Sequence, residues 1–304
     1  MRGPLFWLRA ARAPFFTGSF APIAVGTALA FSEGHHIDWL RAILALVALT
    51  ALHACANLAN DYYDHLTGND AANATYATPF TGGSRVIQVG LVQPWEMLLA
   101  ALMAMGLGAA IGLYLVWATG WPVLVLGVVG GLTGFFYTAP PVRLGYRGVG
   151  ELFIFLDFGL LPVLGAYYVQ THQFTVQAAL ASLPTALLIS AVLWVNQFQD
   201  MAADAAVGKR HGVVRLGRRL SAHVHVGLLA TSQLVAPLTA LAGLLPPWSL
   251  LALAGVPLAL KASAVVLRSY DDLPNLTPAN AATIGCHLVT SLGLSLGLVL
   301  ARVL

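Results

Sequence analysis

The chain has 304 residues, of which 58% are hydrophobic and 9% charged, with a formal net charge of +3. Its mean hydropathy is +0.78, whereas a water-soluble domain carries roughly 25% charged residues. These values exclude a soluble globular domain and a nucleic-acid binder and leave an integral membrane protein, residues 1–304 forming one membrane domain with no obligate protein partner evident.

The stretch from Met1 to Thr17 carries Arg2, Arg9 and Arg12 between aromatic residues. It reads as an interfacial amphipathic lead-in and not as a cleaved signal, because no small-residue cleavage site closes a short apolar core. A span needs about 20 apolar residues. Nine stretches qualify, at approximately 16–33, 38–58, 94–117, 119–138, 150–170, 175–196, 222–243, 246–268 and 280–302. The expected fold is therefore all-α and polytopic, with nine transmembrane helices. The breaks at 118–121 and 244–248 are so short that the flanking spans must be antiparallel neighbours. With the N-terminus inside, 12 of the 15 Lys and Arg residues fall on one side, leaving Arg41, Lys261 and Arg302 on the other. That bias makes the N-terminal side cytoplasmic. Cys55 and Cys286 fall in apolar stretches and read as small buried hydrophobes.

Two polar stretches close apolar runs on that same side. Asn57, Asp61 and Asp64 are spaced i, i+4, i+7 and share one helical face, with Asp70 beyond a Gly-containing tail. Asn196, Asp200 and Asp204 are spaced i, i+4, i+8, and Gly208, Lys209 and Arg210 follow. A charged side chain near the bilayer centre costs at least ~2.5 kcal/mol, so five carboxylates in two clusters call for a task. For one motif alone, helix-end capping or pairing with loop arginines would serve as well. Together, two facing sets of hard oxygen ligands with a cation just past one of them suit Mg2+ and a diphosphate. On this reading Asn57, Asp61, Asp64 and Asp70 hold one ion and Asn196, Asp200 and Asp204 the other. Asp61, Asp64, Asp200 and Asp204 are the catalytic acids, and Arg85, Lys209 and Arg210 add positive charge to the diphosphate.

Other groups are candidates for the second substrate. Tyr137, Tyr146, Arg147 and Glu151 lie at or beyond the cytoplasmic end of the fourth span. Asp157 lies within the fifth, where an ionisable group is a functional candidate and could aid deprotonation of an acceptor. His53, one turn before Asn57, reads as a buried, hydrogen-bonded core residue. The remaining histidines lack ligand spacing with cysteine or acid, so no transition-metal site is expected.

Asn60-Asp61-Tyr-Tyr-Asp64 with Gly68 and Asp70, and Asp200-x-x-x-Asp204 with Gly208-Lys209-Arg210, resemble the two aspartate-rich motifs of the UbiA superfamily of intramembrane aromatic prenyltransferases. The resemblance spans nearly the whole chain. Gly82-Gly-Ser-Arg85-Val-Ile, Tyr137-Thr-Ala-Pro-Pro, Leu144-Gly-Tyr146-Arg147-Gly-x-Gly150-Glu151 and Gly165-Ala-Tyr-Tyr-Val-Gln-Thr171 are most similar to its 1,4-dihydroxy-2-naphthoate polyprenyltransferase branch. The resemblance implies a nine-helix bundle around a central cavity, capped on the cytoplasmic side by loops at about 59–93 and 197–221. It also implies Mg2+-dependent transfer of a polyprenyl group from a polyprenyl diphosphate to an aromatic acceptor, with loss of CO2 in the naphthoate branch, as a step of menaquinone biosynthesis. Such an enzyme sits in a bacterial or archaeal inner membrane with its site facing the cytoplasm. The chain departs from the branch's usual pattern at Gln199 and at His211-Gly212, positions expected to touch no metal ligand but to sit where the cap meets the acceptor. The same-class alternative is another acceptor, such as 4-hydroxybenzoate, homogentisate or a porphyrin-type ring. An ion-coupled transporter fits less well, because these carboxylates gather at one end of the spans.

Overall fold

The computed structural model describes residues 3–77 and 80–304, so Arg2 lies outside the described residues. Every regular element among them is helical. Helix α1, Pro4–Ala10, opens on a proline at a first-turn position where the missing N–H has no intrahelical partner to lose. A 3-10 turn, Ala13–Phe16, leads into α2, Thr17–Ser32. Helix α3, Trp39–Leu66, is capped by Asp38, whose side chain accepts from the Arg41 N–H. It continues past the expected end of the second span, so the whole first acid motif lies on its final turns. Helix α4, Asn69–Ala72, follows after Gly68. Helix α5, Pro94–Thr119, begins at a reciprocal cap between Gln93 and Glu96. Helix α6, Pro122–Phe135, follows after a tight turn.

Helix α7, Gly150–Phe155, passes through a π-helical turn, Leu156–Leu160, into α8, Leu161–Thr171. Helix α9, Val176–Ala206, carries the second acid motif on its last turns. Helix α10, Gly212–Leu241, is broken at Gly217. A 3-10 run, Pro247–Gly255, leads into α11, Val256–Ser269, and α12, Leu273–Val303, ends the fold.

Eight helical runs among the described residues are long and apolar enough to cross a membrane. The expected fourth span is the short one. Helix α6 has 14 residues, which rise about 21 Å against a hydrocarbon core of about 30 Å. The expected seventh span begins ten residues early, at Gly212, because Arg215, Arg218 and Arg219 hide its first turns from a hydropathy window.

Helix α9 is the centre of the bundle and packs against α2, α4, α7, α8, α10 and α12. Helix α5 lies on the outside of the bundle, buries only Met97, Ala101, Gly108, Leu115 and Thr119, and leans on α3. Lipid tails solvate its remaining surface, so apolar residues all round it are no fault. Between helices, lipid offers no hydrophobic drive, and close packing at small residues does the holding. The cluster of Leu188, Ala191, Leu229, Ala259, Ala262, Ala282 and Cys286 is built that way. The tightest approach bearing on the site is at Gly159 in the π turn. A Cβ there would stand 2.2 Å from Ala186 Cβ and 2.3 Å from its Cα. Only glycine lets the π turn, and Asp157 within it, lie against α9.

Candidate active site

The last turns of α3 and α9 flank one pocket, and asparagines at the two ends of α4, the short helix that follows α3, bind the acids of α9. Asn69 Nδ2 donates to Asp204 Oδ1 at 2.7 Å, and Asn73 Nδ2 donates to Asp200 Oδ1 at 2.6 Å. Thr75 Oγ1 adds a bond to the Gln199 carbonyl at 2.7 Å. Asp61, Asp64, Asp70 and Asp204 are each 2–3% exposed, so the acids form a buried cluster and not a solvated face. Lys209 answers their charge. Its Nζ lies 3.3 Å from Asp64 Oδ2 and 3.4 Å from Asp204 Oδ1. Burial alone would pull its ammonium down, but Asp204 and Asp64 more than offset that and hold it well above the ordinary lysine value. Asp70 has no such partner at its carboxylate. Burial first, then Asp64 and Asp61, push its carboxyl up to about 8.

Asp64, Asn69, Asp70, Asn73, Asp200, Asp204 and Lys209 line an acid pocket of about 90 Å3, which Tyr137 and Asn196 share with a neighbouring apolar cavity of about 150 Å3; Asp61 lies behind that wall, against Gly83 and Ser84. Tyr137 is packed hard against Gly145 and Gly150, whose backbone could carry no side chain there. Burial, and secondarily Glu151, raise its phenol above the ordinary range, so it stays a neutral hydroxyl. Tyr146 stands at the rim, with Lys209 Nζ 5.9 Å from its ring centre and Arg143 5.4 Å on another side.

No three His, Cys or acid side chains among the described residues lie close enough to hold a metal ion unaided. The donor set nonetheless suits a divalent cation shared with an anion. Asp61 Oδ1, Asp64 Oδ1 and Asn69 Oδ1 are buried and have no hydrogen-bond partner among the described residues. Gly83 supplies the cradle. At φ +70, a Cβ on it would meet Asp61 Oδ1 at 2.8 Å and Asp70 Oδ1 at 3.3 Å. Its neighbour Ser84 N donates to Asp61 Oδ2 at 3.0 Å, and Gln88 Nε2 to Asp70 Oδ2 at 2.9 Å. Mg2+ takes only one or two carboxylates when phosphate oxygens and water fill its other positions, and these few free oxygens meet that need.

The remaining expected site residues divide. Asn57 lines the apolar cavity, away from the acid pocket, and its Nδ2 donates to the Ala11 carbonyl at 2.9 Å. Asn196 Oδ1 accepts from Asn280 Nδ2 at 2.7 Å, so its oxygen is engaged. Arg85 lies behind Asp70 and donates to its carbonyl, while stacking on Tyr76. Arg147 is exposed and turned onto the Pro141 and Val142 carbonyls. Arg210 is exposed, and its backbone N–H is bound to the Tyr146 carbonyl. Asp157 lines the apolar cavity, bound by Thr133 Oγ1 at 2.8 and 2.9 Å. Glu151 is a structural clamp, accepting from Gln197 Nε2 at 3.0 Å and from the Gly212 N–H that opens α10 at 2.8 Å.

Two expectations about the departures are corrected. His211 does touch an acid of the motif, its Nε2 lying 2.9 Å from Asp204 Oδ2. Gln199 is fully buried and bonded to Asn280 at 3.0 Å in the α9–α12 seam, lining neither pocket, while its carbonyl takes the bond from Thr75. Sequence reasoning also missed Asn69, Asn73 and Arg12. The two asparagines are spaced i, i+4 around Asp70, a polar pattern that was there to find. Arg12 had no such signal, because only the fold carries the lead-in back over the pocket.

A buried acid cluster answered by Lys209 adjoins an apolar cavity at one end of a helical bundle whose long apolar helices mark a membrane protein. Residues 19–282 match the UbiA prenyltransferase family, and the chain belongs to it. It is thus an integral membrane enzyme of the prenyl-transferring class. Among curated relatives, the 1,4-dihydroxy-2-naphthoate octaprenyltransferase of Escherichia coli is 33% identical over 97% of this chain and 96% of its own. The 2-carboxy-1,4-naphthoquinone phytyltransferase of Synechocystis is 29% identical over 96% of this chain and 92% of its own. A UbiA homologue from Archaeoglobus fulgidus, solved bound to GPP and Mg2+, has the same fold, with a TM-score of 0.59, 14% identity and coverage of 95% of this chain and 99% of its own.

Proposed function

We propose that this enzyme transfers a polyprenyl group from a polyprenyl diphosphate to 1,4-dihydroxy-2-naphthoate, with loss of CO2, as a step of menaquinone biosynthesis. The cross-link of the two acid sets through Asn69 and Asn73 carries the reading, because it makes one pocket of residues far apart in sequence. The named activities of the curated relatives support the acceptor, and the homologue bound to GPP and Mg2+ supports the donor and the ion. Asp61, Asp64 and Asp70 on one wall and Asp200 and Asp204 on the other would hold Mg2+, with Asn57 and Asn196 left as outer supports. Bound there, Mg2+ would bridge carboxylate and phosphate oxygens and neutralise the leaving diphosphate.

Lys209 adds a fixed positive charge where the diphosphate gathers negative charge as the allylic C–O bond breaks. Arg85 acts through Asp70, by holding the short helix that carries it. The bond's electron pair leaves with the diphosphate. The ring carbon bearing the carboxylate forms the new C–C bond to the prenyl carbon, and CO2 departs, returning its bonding pair to the ring. The apolar cavity excludes water, which would otherwise trap the allylic cation. Asp157, steadied by Thr133, accepts a hydrogen bond from a ring hydroxyl and enriches the ring. We take residues 1–304 as one unit, α6 as a short ninth span, and the stretches 59–93 and 197–221 as a cap on the cytoplasmic face of a bacterial or archaeal inner membrane.

The test is product identification by mass spectrometry. Membranes bearing the chain are given geranyl and longer prenyl diphosphates with 1,4-dihydroxy-2-naphthoate, 4-hydroxybenzoate or homogentisate, in Mg2+ or in EDTA. The expected product is a prenylated naphthoquinol without the carboxyl group, formed only with Mg2+. Product from another acceptor alone would overturn the assignment.

A further inference from the structure

Ahead of the first span lies a cation that the reaction above leaves idle. Arg12 has left-handed backbone, φ +58, which is uncommon for a residue other than glycine. The turn it makes is pinned where Asn57 Nδ2 bonds to the neighbouring Ala11 carbonyl. Its half-buried side chain lines both the acid pocket and the apolar cavity. Its Nη2 donates to the Phe80 carbonyl at 3.0 Å, and its guanidinium lies 4.8 Å from the Phe15 ring centre. Its Nε is buried and has no acceptor among the described residues. A buried donor of a charged group is costly to leave unmatched, so the open Nε points to an anionic partner.

The cavity wall says which anion. Among the described residues lining the apolar cavity, Arg12 is the sole Lys or Arg, whereas in the acid pocket it is joined by Lys209, which lines that pocket only. Phe15, which packs against Phe158 and Val192, offers an apolar wall beside it. An aromatic ring laid there would bring a ring carboxylate to the guanidinium, and the two match as a fork of paired hydrogen bonds. A diphosphate is already served by the acids' ions and by Lys209, within the other pocket.

We infer that Arg12 anchors the acceptor by binding the carboxylate of an aromatic acid seated in the apolar cavity, and so selects carboxylated over neutral phenolic rings. The inference rests on the prenyl-transfer reading for the class of ligand the cavity takes. It places the ring carbon bearing the carboxylate at the junction of the two pockets, next to where the allylic carbon is released.

The test is equilibrium dialysis of the purified full chain in detergent, without prenyl donor, against 1,4-dihydroxy-2-naphthoate and against neutral 1,4-dihydroxynaphthalene. The thermal midpoint serves as the check on folding, and binding of Mg2+-pyrophosphate reports on the acid pocket. The native chain should bind the naphthoate at least about tenfold tighter than the diol, the scale of one charge-assisted contact. R12Q should bind the two alike at a native-like thermal midpoint. R12K, which keeps the charge without the fork, should retain part of the preference. A full preference in R12Q or R12K, or no preference in the native chain, would overturn the assignment. So would R12Q losing Mg2+-pyrophosphate while still preferring the naphthoate. A native chain that prefers the naphthoate but forms no prenylated product would refute the transfer reading alone.

Discussion

Asp204 is gripped by Asn69, Lys209 and His211 at 2.7, 3.4 and 2.9 Å. A group that orients a metal-binding carboxylate from behind typically matters 10–100-fold. His211→Ala should therefore lower Mg2+-dependent turnover by about that factor, and a rate within twofold of native would mean that the contact is only packing. Asp70 gives a pH signature. Its carboxyl titrates near 8 in the fold and near ~3.9 in an unfolded chain. Between those values the folded chain holds a proton the unfolded chain has released, so this residue's effect is to lower stability as pH rises through that window. In EDTA, Asp70→Asn should therefore flatten the fall of the thermal midpoint between about pH 6.5 and 8. An unaltered slope would contradict the raised value. At this scale the sequence was readable where spacing carries meaning, as for Asp61, Asp64, Asp200 and Asp204. It was silent on Arg12 and His211, whose roles depend on what lies opposite them in space.

Helices end and bend where the site needs them. The first acid motif is rigid because α3 runs on through Leu66, and the cap residues Asn69 and Asn73 tie that end to α9. The π turn at Leu156–Leu160 carries Asp157, and such turns are often found at functional sites. Gly159→Ala should push this turn from α9, because the new Cβ meets Ala186 at 2.2 Å. It should lower the thermal midpoint, with a loss of roughly 1–3 kcal/mol in stability, and reduce activity with it. Gly127→Ala on α6 is the control, since nothing lies within 4 Å of its Cβ and helix propensity favours alanine by ~1 kcal/mol. Equal thermal midpoints for the two variants would refute the packing argument. Hydropathy located most of the helices. It could not register the π turn or the 3-10 run at Pro247–Gly255, because those follow from contacts between helices, and the break at Gly217, where the backbone takes φ +74, has no close neighbour to explain it.

Across the whole molecule, the charge asymmetry of the sequence predicts an orientation that labelling can test. Arg210 and Arg302 are both exposed and lie at opposite ends of the expected topology. In intact cells a membrane-impermeant maleimide should label Arg302→Cys and spare Arg210→Cys, with little background from the buried Cys55 and Cys286. The reverse pattern would invert the topology. The most direct measurement of the shared pocket is calorimetric binding of pyrophosphate, with and without Mg2+, to the native chain and to Asp64→Asn and Asp200→Asn. If the acids of α3 and α9 grip one diphosphate through Mg2+, the native chain binds only with the metal, and each single variant loses at least about tenfold in affinity. Native-like, Mg2+-dependent binding by either variant, or metal-independent binding by the native chain, would contradict it.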